Sequence, residues 1–223
     1  WMMGPWLIYA SFLNRATMAL YYGVPTERGF GEFIRDAEVS MLGVIPSMVR
    51  TWRGSGCVEG IDFSAIRAFS TTGECSNAED MHYLMALSGY RPILEYCGGT
   101  ELAGGYLLST LVKPVAPSTF NSAALGTDLV ILDEAGEVCD SGEVFLLPPA
   151  IGMSSQVLNR DHHEVYYEGV PGLHGVQLRR HGDQVERLSP GRYRVHGRAD
   201  DTMNLGGIKV SSAEIERVLN AME

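Results

Sequence analysis

Gly182-Asp183, then Gly197-Arg198-Ala199-Asp200-Asp201-Thr202-Met203-Asn204-Leu205-Gly206-Gly207-Ile208-Lys209, is the stretch that decides how this chain is read. A Gly-Asp turn, entered through Arg179-Arg180-His181, leads to a Gly-Arg-x-Asp-Asp turn and then to a Gly-Gly loop carrying a lysine. Ser211 and Glu214 follow as a capping box, and Ile215, Val218, Leu219 and Met222 recur at helical spacing. Acidic and basic groups are set on tight turns where packing does not require them. That placement marks a site.

Upstream the pattern is different. Trp1 to Leu13 is apolar and ends at Asn14-Arg15, which predicts a buried helix, followed by a strand over Thr17 to Tyr22. Helical spacing covers Phe30 to Ala37 and Ser47 to Trp52; Met41 to Ile45 is a short strand halted by Pro46. Ile66 to Ser70 reads as a strand, Asn77 to Leu87 as a helix and Pro92 to Tyr96 as a strand. Such alternation predicts a parallel sheet covered by helices, with ligands at the carboxyl ends of its strands. From about Tyr106 to Val195 strand runs such as Asp128 to Leu132 and Gly142 to Leu147 are separated by turn residues, a β-rich, partly barrel-like unit.

Four loops carry groups suited to chemistry. In Tyr96-Cys97-Gly98-Gly99-Thr100-Glu101 the glycines allow close backbone approach to a ligand, the Thr hydroxyl suits a phosphate oxygen and the Glu suits Mg²⁺. It also reads as a plain turn with Thr100 as a helix cap. Ser70-Thr71-Thr72-Gly73-Glu74 could hold a base by backbone contacts, or be a strand-to-helix loop in which Ser76 caps the helix. Asp183 suits a ribose diol, where charge-assisted bonds are worth about 1.5–3 kcal/mol, or an Asx turn. Arg198 could bond the same ribose or steady Asp200-Asp201, a pair that reads as a solvated turn or as a hinge.

Composition narrows the field. The chain has 223 residues, 45% hydrophobic and 20% charged, with net charge −10. That suits one or two globular domains and offers no basic stripe for nucleic acid. The apolar start is too short for a membrane span. Cys57, Cys75, Cys97 and Cys139 form no C-x-x-C pair, so a zinc ribbon is not expected and reduced thiols inside a cell are. Gly54 to Gly60 is one residue off a dinucleotide fingerprint and follows no strand; His162-His163-Glu164 is not a zinc-protease motif; no G-x-S-x-G elbow occurs.

Taken in order, Gly73-Glu74, Tyr96 to Glu101, Gly182-Asp183 and Gly197 to Lys209 resemble the AMP-forming acyl-CoA synthetases, nearest to plant acyl-activating enzymes of the acetyl-CoA-synthetase-like branch. Trp1-Met2-Met3-Gly4 and Pro46-Ser47 resemble two further motifs of that family. The resemblance implies an α/β fold in three parts. Residues 1–105 would be the later part of a large adenylating domain with a parallel or mixed sheet and helices. Residues 106–197 would be a β-barrel-like subdomain, and 198–223 the hinge and start of a small α+β C-terminal domain. It also implies that Gly73, Glu74 and Cys75 line the adenine, with Cys75 standing where the family commonly has proline. Glu95, Tyr96, Cys97, Gly98, Gly99 and Thr100 would run along adenine, acyl group and phosphate. Thr100 would bond the α-phosphate, Glu101 would bind Mg²⁺, and Asp183 and Arg198 would hold the ribose. Asp200 would be the hinge, Gly206 and Gly207 would line the pantetheine channel, and Lys209 would stand where an Arg often meets the phosphates.

The implied reaction is ATP-dependent ligation of a carboxylic acid to coenzyme A through an acyl-AMP. Gly98, where acetyl-CoA synthetases hold a tryptophan, implies an acid longer than acetate, of short to medium chain. The family's phosphate-gripping loop and its catalytic lysine are expected before Trp1 and beyond Glu223, so residues 1–223 alone are not expected to adenylate. A carrier-protein thiol as acceptor, or a non-catalytic nucleotide-binding protein, are the alternatives. The compartment, cytoplasmic or peroxisomal, is left open.

Overall fold

The computed structural model describes residues 3–199, 202–205 and 208–211, the last two stretches as backbone only. Helices α1 (Met3–Asn14) and α2 (Arg28–Asp36) lead to strand β1 (Met41–Val44), α3 (Pro46–Ser55), β2 (Ala68–Thr71), α4 (Ala78–Ala86) and β3 (Ile93–Gly99). A single 3-10 turn, Thr100–Leu102, joins β3 to β4 (Gly104–Leu108), followed by β5 (Ser122–Ala123), β6 (Asp128–Leu132), β7 (Ser141–Leu147) and α5 (His162–Tyr166). The short pair β8 (Gly172–Leu173) and β9 (Val176–Gln177) precedes β10 (Arg179–Ser189) and β11 (Arg192–Arg198). A last pair, β12 (Thr202–Leu205) and β13 (Ile208–Ser211), is antiparallel.

Two sheets carry the architecture. The first has the order β1-β2-β3-β4-β5, parallel across β1 to β3 and antiparallel from β3 onward. The second is antiparallel with the order β11-β10-β7-β6. The change of character at Tyr106 therefore falls inside β4, which still belongs to the first sheet. An isolated bridge between Phe120, just before β5, and Tyr193 of β11 joins that segment to the second sheet.

Local chemistry sets the helices of the first unit. Pro46 opens α3, where its missing N–H costs nothing, and Gly56 closes it at φ 67°. Met48, Val49 and Trp52 form its buried face. Asn77 caps α4 by accepting the Glu79 N–H at 2.8 Å, with Glu79 and Asp80 favourably placed in the first turn. Ser76 does not cap this helix; its hydroxyl goes to Glu95 instead. Trp52, Phe63, Ile66, Phe69, Met81, Leu84 and Ile93 are fully buried in one core. Each such side chain contributes about 1.5–3 kcal/mol. Tyr106, Leu107, Ile131, Val144, Leu146 and Val185 form the second core, between the sheets.

The start of the chain departs from expectation. Helix α1 forms, but none of its residues is buried. Trp6 packs against Tyr96 at 6.4 Å between ring centroids, while Ile8, Tyr9, Phe12 and Leu13 are exposed. A helix that is apolar on every side cannot bury itself against a neighbour that touches one stripe. Residues 16–22 form no strand. Tyr21 packs on Phe30 and Phe33 of α2, at 5.0 and 5.2 Å, and no strand lies alongside it among the described residues. Without a ladder partner, β propensity alone does not make a strand.

Candidate functional site

The site gathers on Asp183, in β10 beside the end of β3. Its Oδ2 accepts the Tyr106 hydroxyl at 2.9 Å, His181 Nε2 at 3.1 Å and the Cys97 thiol at 3.3 Å. Its Oδ1 accepts Arg198 Nη1 at 3.1 Å. Burial pushes the Asp183 carboxyl up, but His181, Arg198 and Tyr106 outweigh burial and hold it far below the usual carboxylate range. Burial, with Cys97 and Asp183 close by, keeps the Tyr106 hydroxyl protonated and hence a donor. Oδ2 is saturated by three donors, so Oδ1 is the oxygen with an acceptor direction to spare.

The backbone around Asp183 is irregular. The pairing of β10 with β7 breaks between Arg180 and Gln184. Gly182 sits in that break at φ 84°, and a Cβ there would stand 2.5 Å from Arg198 Nη2. Only glycine satisfies both the dihedral and the close approach. Arg198 Nη1 also reaches the His181 carbonyl at 2.6 Å, locking β11 to the break.

His181 continues the cluster toward the β3–β4 turn. Its ring meets Tyr106 edge-on at 4.4 Å, and Nδ1 lies 3.6 Å from Glu101 Oε1. Glu101 folds back over Gly99, where a Cβ would fall 2.2 Å from Oε1. The Glu101 carbonyl accepts the Ser154 N–H at 2.7 Å. Ser154 Oγ accepts Arg179 Nη2 at 3.0 Å, and the Ser154 carbonyl accepts His162 Nε2 at 2.9 Å. Arg179 is fully buried, with its guanidinium 3.7 Å above the Tyr166 ring.

The chain spans about a third of the length of the curated relatives it matches. The probable acyl-activating enzyme 17, peroxisomal, of Arabidopsis thaliana is 52% identical over all of this chain and 32% of its own length. The hexanoyl-CoA synthase of Cannabis sativa is 50% identical over the same shares. The solved structure of acetoacetyl-CoA synthetase from Streptomyces lividans superposes with a TM-score of 0.76 and 26% identity, over 99% of this chain and 35% of that one. The chain is homologous to the acyl-activating enzymes and acetyl-CoA synthetases. No family model matches it.

The positions that carry this acyl-activating resemblance divide in three. Asp183, Arg198, Cys97 and Glu101 come together, with Thr100 opening the turn that carries Glu101. Gly73, Glu74 and Cys75 form the loop after β2. Glu74 spends both oxygens on Ser47, accepting its N–H and its hydroxyl at 2.9 Å each. That carboxylate caps α3, which has no cap of its own. The Cys75 thiol is pushed up to about 11 by desolvation and by the charges of Asp183, Glu95 and Glu74. Lys209 lies in β13 and is described by its backbone alone. Asp200, Gly206, Gly207 and the helix expected after Ser211 lie outside the described residues.

Two positions have a more structural role than their motif suggests. Glu95 is buried, accepting the Ser76 hydroxyl and the Ser118 N–H, and so fastens the loop before β5. A Cβ on Gly98 would stand 2.1 Å from the Gly104 carbonyl oxygen and 2.5 Å from Gly105 Cα. The β4 backbone already occupies that direction, so Gly98 opens no room there. A cavity of about 240 Å³ lies instead beside Trp6, Leu94, Tyr96, Gly105 and Leu108. Tyr106, His181 and Ser154 went unmarked by motif reasoning; only the adjacency of His181 to Gly182-Asp183 offered a signal.

Proposed function

We propose that this chain forms the nucleotide-facing part of an ATP-dependent acid–CoA ligase, carrying acid, ATP and CoA to acyl-CoA, AMP and pyrophosphate. The convergence of Asp183, His181 and Glu101 carries the reading. It sets a ribose-type acceptor and a carboxylate suited to a cation on either side of one buried imidazole. In this reading 1–105 belongs to the adenylating domain, 106–197 to a β-rich subdomain, and 198–223 opens a mobile C-terminal domain turning about Asp200.

Each residue then has a task. Asp183 accepts a ribose hydroxyl at Oδ1, with Arg198 holding that carboxylate in place. The Gly73 to Cys75 loop lines the base, held by Glu74 on Ser47. Thr100 donates to the α-phosphate, and Lys209 brings a positive charge to the phosphates, without the bidentate fork of an arginine. Glu101, whose Oε1 lies 3.6 Å from His181 Nδ1, is the carboxylate that would hold a cation there. Bound there, Mg²⁺ offsets polyphosphate charge. The protein contributes positioning and electrostatics, and no covalent step. Gly206 and Gly207 line the route of the CoA thiol.

The acid is longer than acetate. The cavity beside Trp6 and Tyr96 supports this, as does the hexanoyl-CoA synthase among the relatives. The compartment is intracellular, and the name of the Arabidopsis relative favours the peroxisome. The test is pyrophosphate exchange by the full-length protein across a panel of acids, followed by product mass with CoA. Exchange and acyl-CoA formation, stronger with hexanoate than acetate, are expected. Absence of acid-dependent exchange overturns the function; acetate preference overturns the acid assignment.

A further inference from the structure

Tyr106 reaches Asp183 from an irregular point of β4. The β3–β4 register pairs Cys97 with Leu107 and Gly98 with Gly105, so Tyr106 is the extra residue of a bulge. Successive residues of a regular strand point to opposite faces. Tyr106 and Leu107 are instead both fully buried in the core between the sheets. Glycines on both strands permit this. A Cβ on Gly98 would meet the β4 backbone at Gly104 and Gly105, and one on Gly105 would stand 3.0 Å from the Cys97 carbonyl oxygen. The bulge turns the Tyr106 ring toward β10, where its hydroxyl donates to Asp183 Oδ2 at 2.9 Å.

Joining two sheets does not require such a pair. Apolar residues of similar volume would do so without burying a carboxylate, whose desolvation is costly. What the hydroxyl supplies is orientation. The terminal torsion of an aspartate is broad and roughly two-fold, so an unanchored carboxylate turns readily about its Cβ–Cγ bond. Tyr106 is fully buried and packed edge-on against His181 at 4.4 Å, which holds its hydroxyl in place. A donor fixed on Oδ2 from that side sets the plane of the carboxylate. It thereby sets the direction in which Oδ1, 3.1 Å from Arg198 Nη1, presents its lone pairs. An acceptor already oriented binds its donor without a further loss of rotamer freedom.

We propose that Tyr106 is a positioning residue of the nucleotide site: its hydroxyl, aimed by the β4 bulge, orients Asp183 so that Oδ1 receives a ribose hydroxyl. This rests on the reading of Asp183 as the ribose acceptor. Tyr106 acts through Asp183, so its effect belongs to nucleotides that carry the ribose hydroxyls and vanishes for those that lack them.

The experiment compares ATP with 2′,3′-dideoxy-ATP in acid-dependent pyrophosphate exchange by the full-length protein, with hexanoate as the acid. Wild type is expected to favour ATP in kcat/KM by about tenfold or more, the worth of one charge-assisted hydrogen bond. Tyr106→Phe is expected to cut that preference by about fivefold or more, through a higher KM for ATP at little-changed kcat, with dideoxy-ATP hardly affected. The ratio of two substrates on one preparation does not depend on the fraction folded, so lost stability alone does not move it. Leu107→Val, a change beside Tyr106 in the same core, is expected to leave the ratio at the wild-type value. Where the phenylalanine variant fails to fold, Tyr106→Met removes the same donor with a flexible filler.

A Tyr106 variant that loses both nucleotides by the same factor, or neither, overturns the proposal. An equal fall in the ratio with Leu107→Val assigns the effect to general loosening and overturns it too. Wild type that does not distinguish ATP from dideoxy-ATP removes the ribose reading of Asp183 and the proposal with it. No exchange at all sinks the function beneath both.

Discussion

The Tyr106 hydroxyl donates to Asp183 Oδ2 across 2.9 Å, and that bond ties the mixed sheet to the antiparallel one. Both residues are buried, so the bond is out of water's reach. Hydrogen bonds to a charged acceptor are worth about 1.5–3 kcal/mol. Tyr106→Phe retains the ring against His181 and removes the hydroxyl, a donor to Asp183 and a weak acceptor for the Cys97 thiol. We expect the full-length protein to lose stability of that order, seen as a lower denaturant midpoint at unchanged slope.

Acid should attack the same point. The folded-state pKa of Asp183 lies below its unfolded value of about 3.9. Its contribution is therefore complete above that value and is lost as pH falls through the lower folded value. Asp183→Asn should flatten the acid side of the stability profile between about pH 4 and 2. Denaturant unfolding across that range, in wild type and variant, checks it; parallel curves would remove Asp183 from the account.

Glu95 should behave in the opposite sense. Burial raises its carboxyl, and the donors Ser76 and Ser118 only partly offset this. A raised carboxyl is stabilising below its unfolded value of about 4.3, and that contribution is lost as pH rises through the folded value. Glu95→Gln, which still accepts from Ser118, is expected to be at least as stable as wild type at pH 7–8. Glu95→Ala strands the Ser118 N–H and leaves the Ser76 hydroxyl only Ser118 Oγ, and should be less stable than either. Unfolding of the three proteins at pH 5 and pH 8 decides the ranking.

Much of this architecture is legible in the sequence, for a physical reason. Helical spacing places α3 over Ser47 to Trp52 and α4 over Asn77 to Leu87, close to where both lie, although the cap of α4 is Asn77 and not the Ser76 expected. Strands are less legible. Residues 16–22 have strand-like composition and no partner, and nothing in a run of residues states which neighbour it will have. The site divides along the same line. Gly182-Asp183 and Gly197-Arg198 stand out as turns that carry charge. The donors that define Asp183, above all Tyr106 and His181, have ordinary surroundings in the sequence and become informative once β4 and β10 meet. Glu74 shows the limit of motif reasoning, since its carboxylate belongs to the start of α3.

Ser154 offers a sharper test of packing against charge. Its hydroxyl is the hydrogen-bond partner seen for the fully buried Arg179, whose Nε and Nη1 have none among the described residues. Ser154→Ala should therefore cost about 1–3 kcal/mol by stranding a buried cation. Arg179→Met removes the cation with its desolvation cost and should be the milder change. The double variant should be no worse than Ser154→Ala alone; an additive loss would show that the two residues act separately.

The break in β10 between Arg180 and Gln184 has a consequence for engineering. An unbroken ladder there would compete for the His181 carbonyl, now committed to Arg198, and the Gly182 carbonyl, now committed to Ala199. Tidying the strand by removing one residue, or by replacing Gly182 with a stiffer one, would trade a blemish in the sheet for a blunted ligand cradle. Thermostabilising designs should leave His181, Gly182 and Asp183 untouched and spend their substitutions elsewhere.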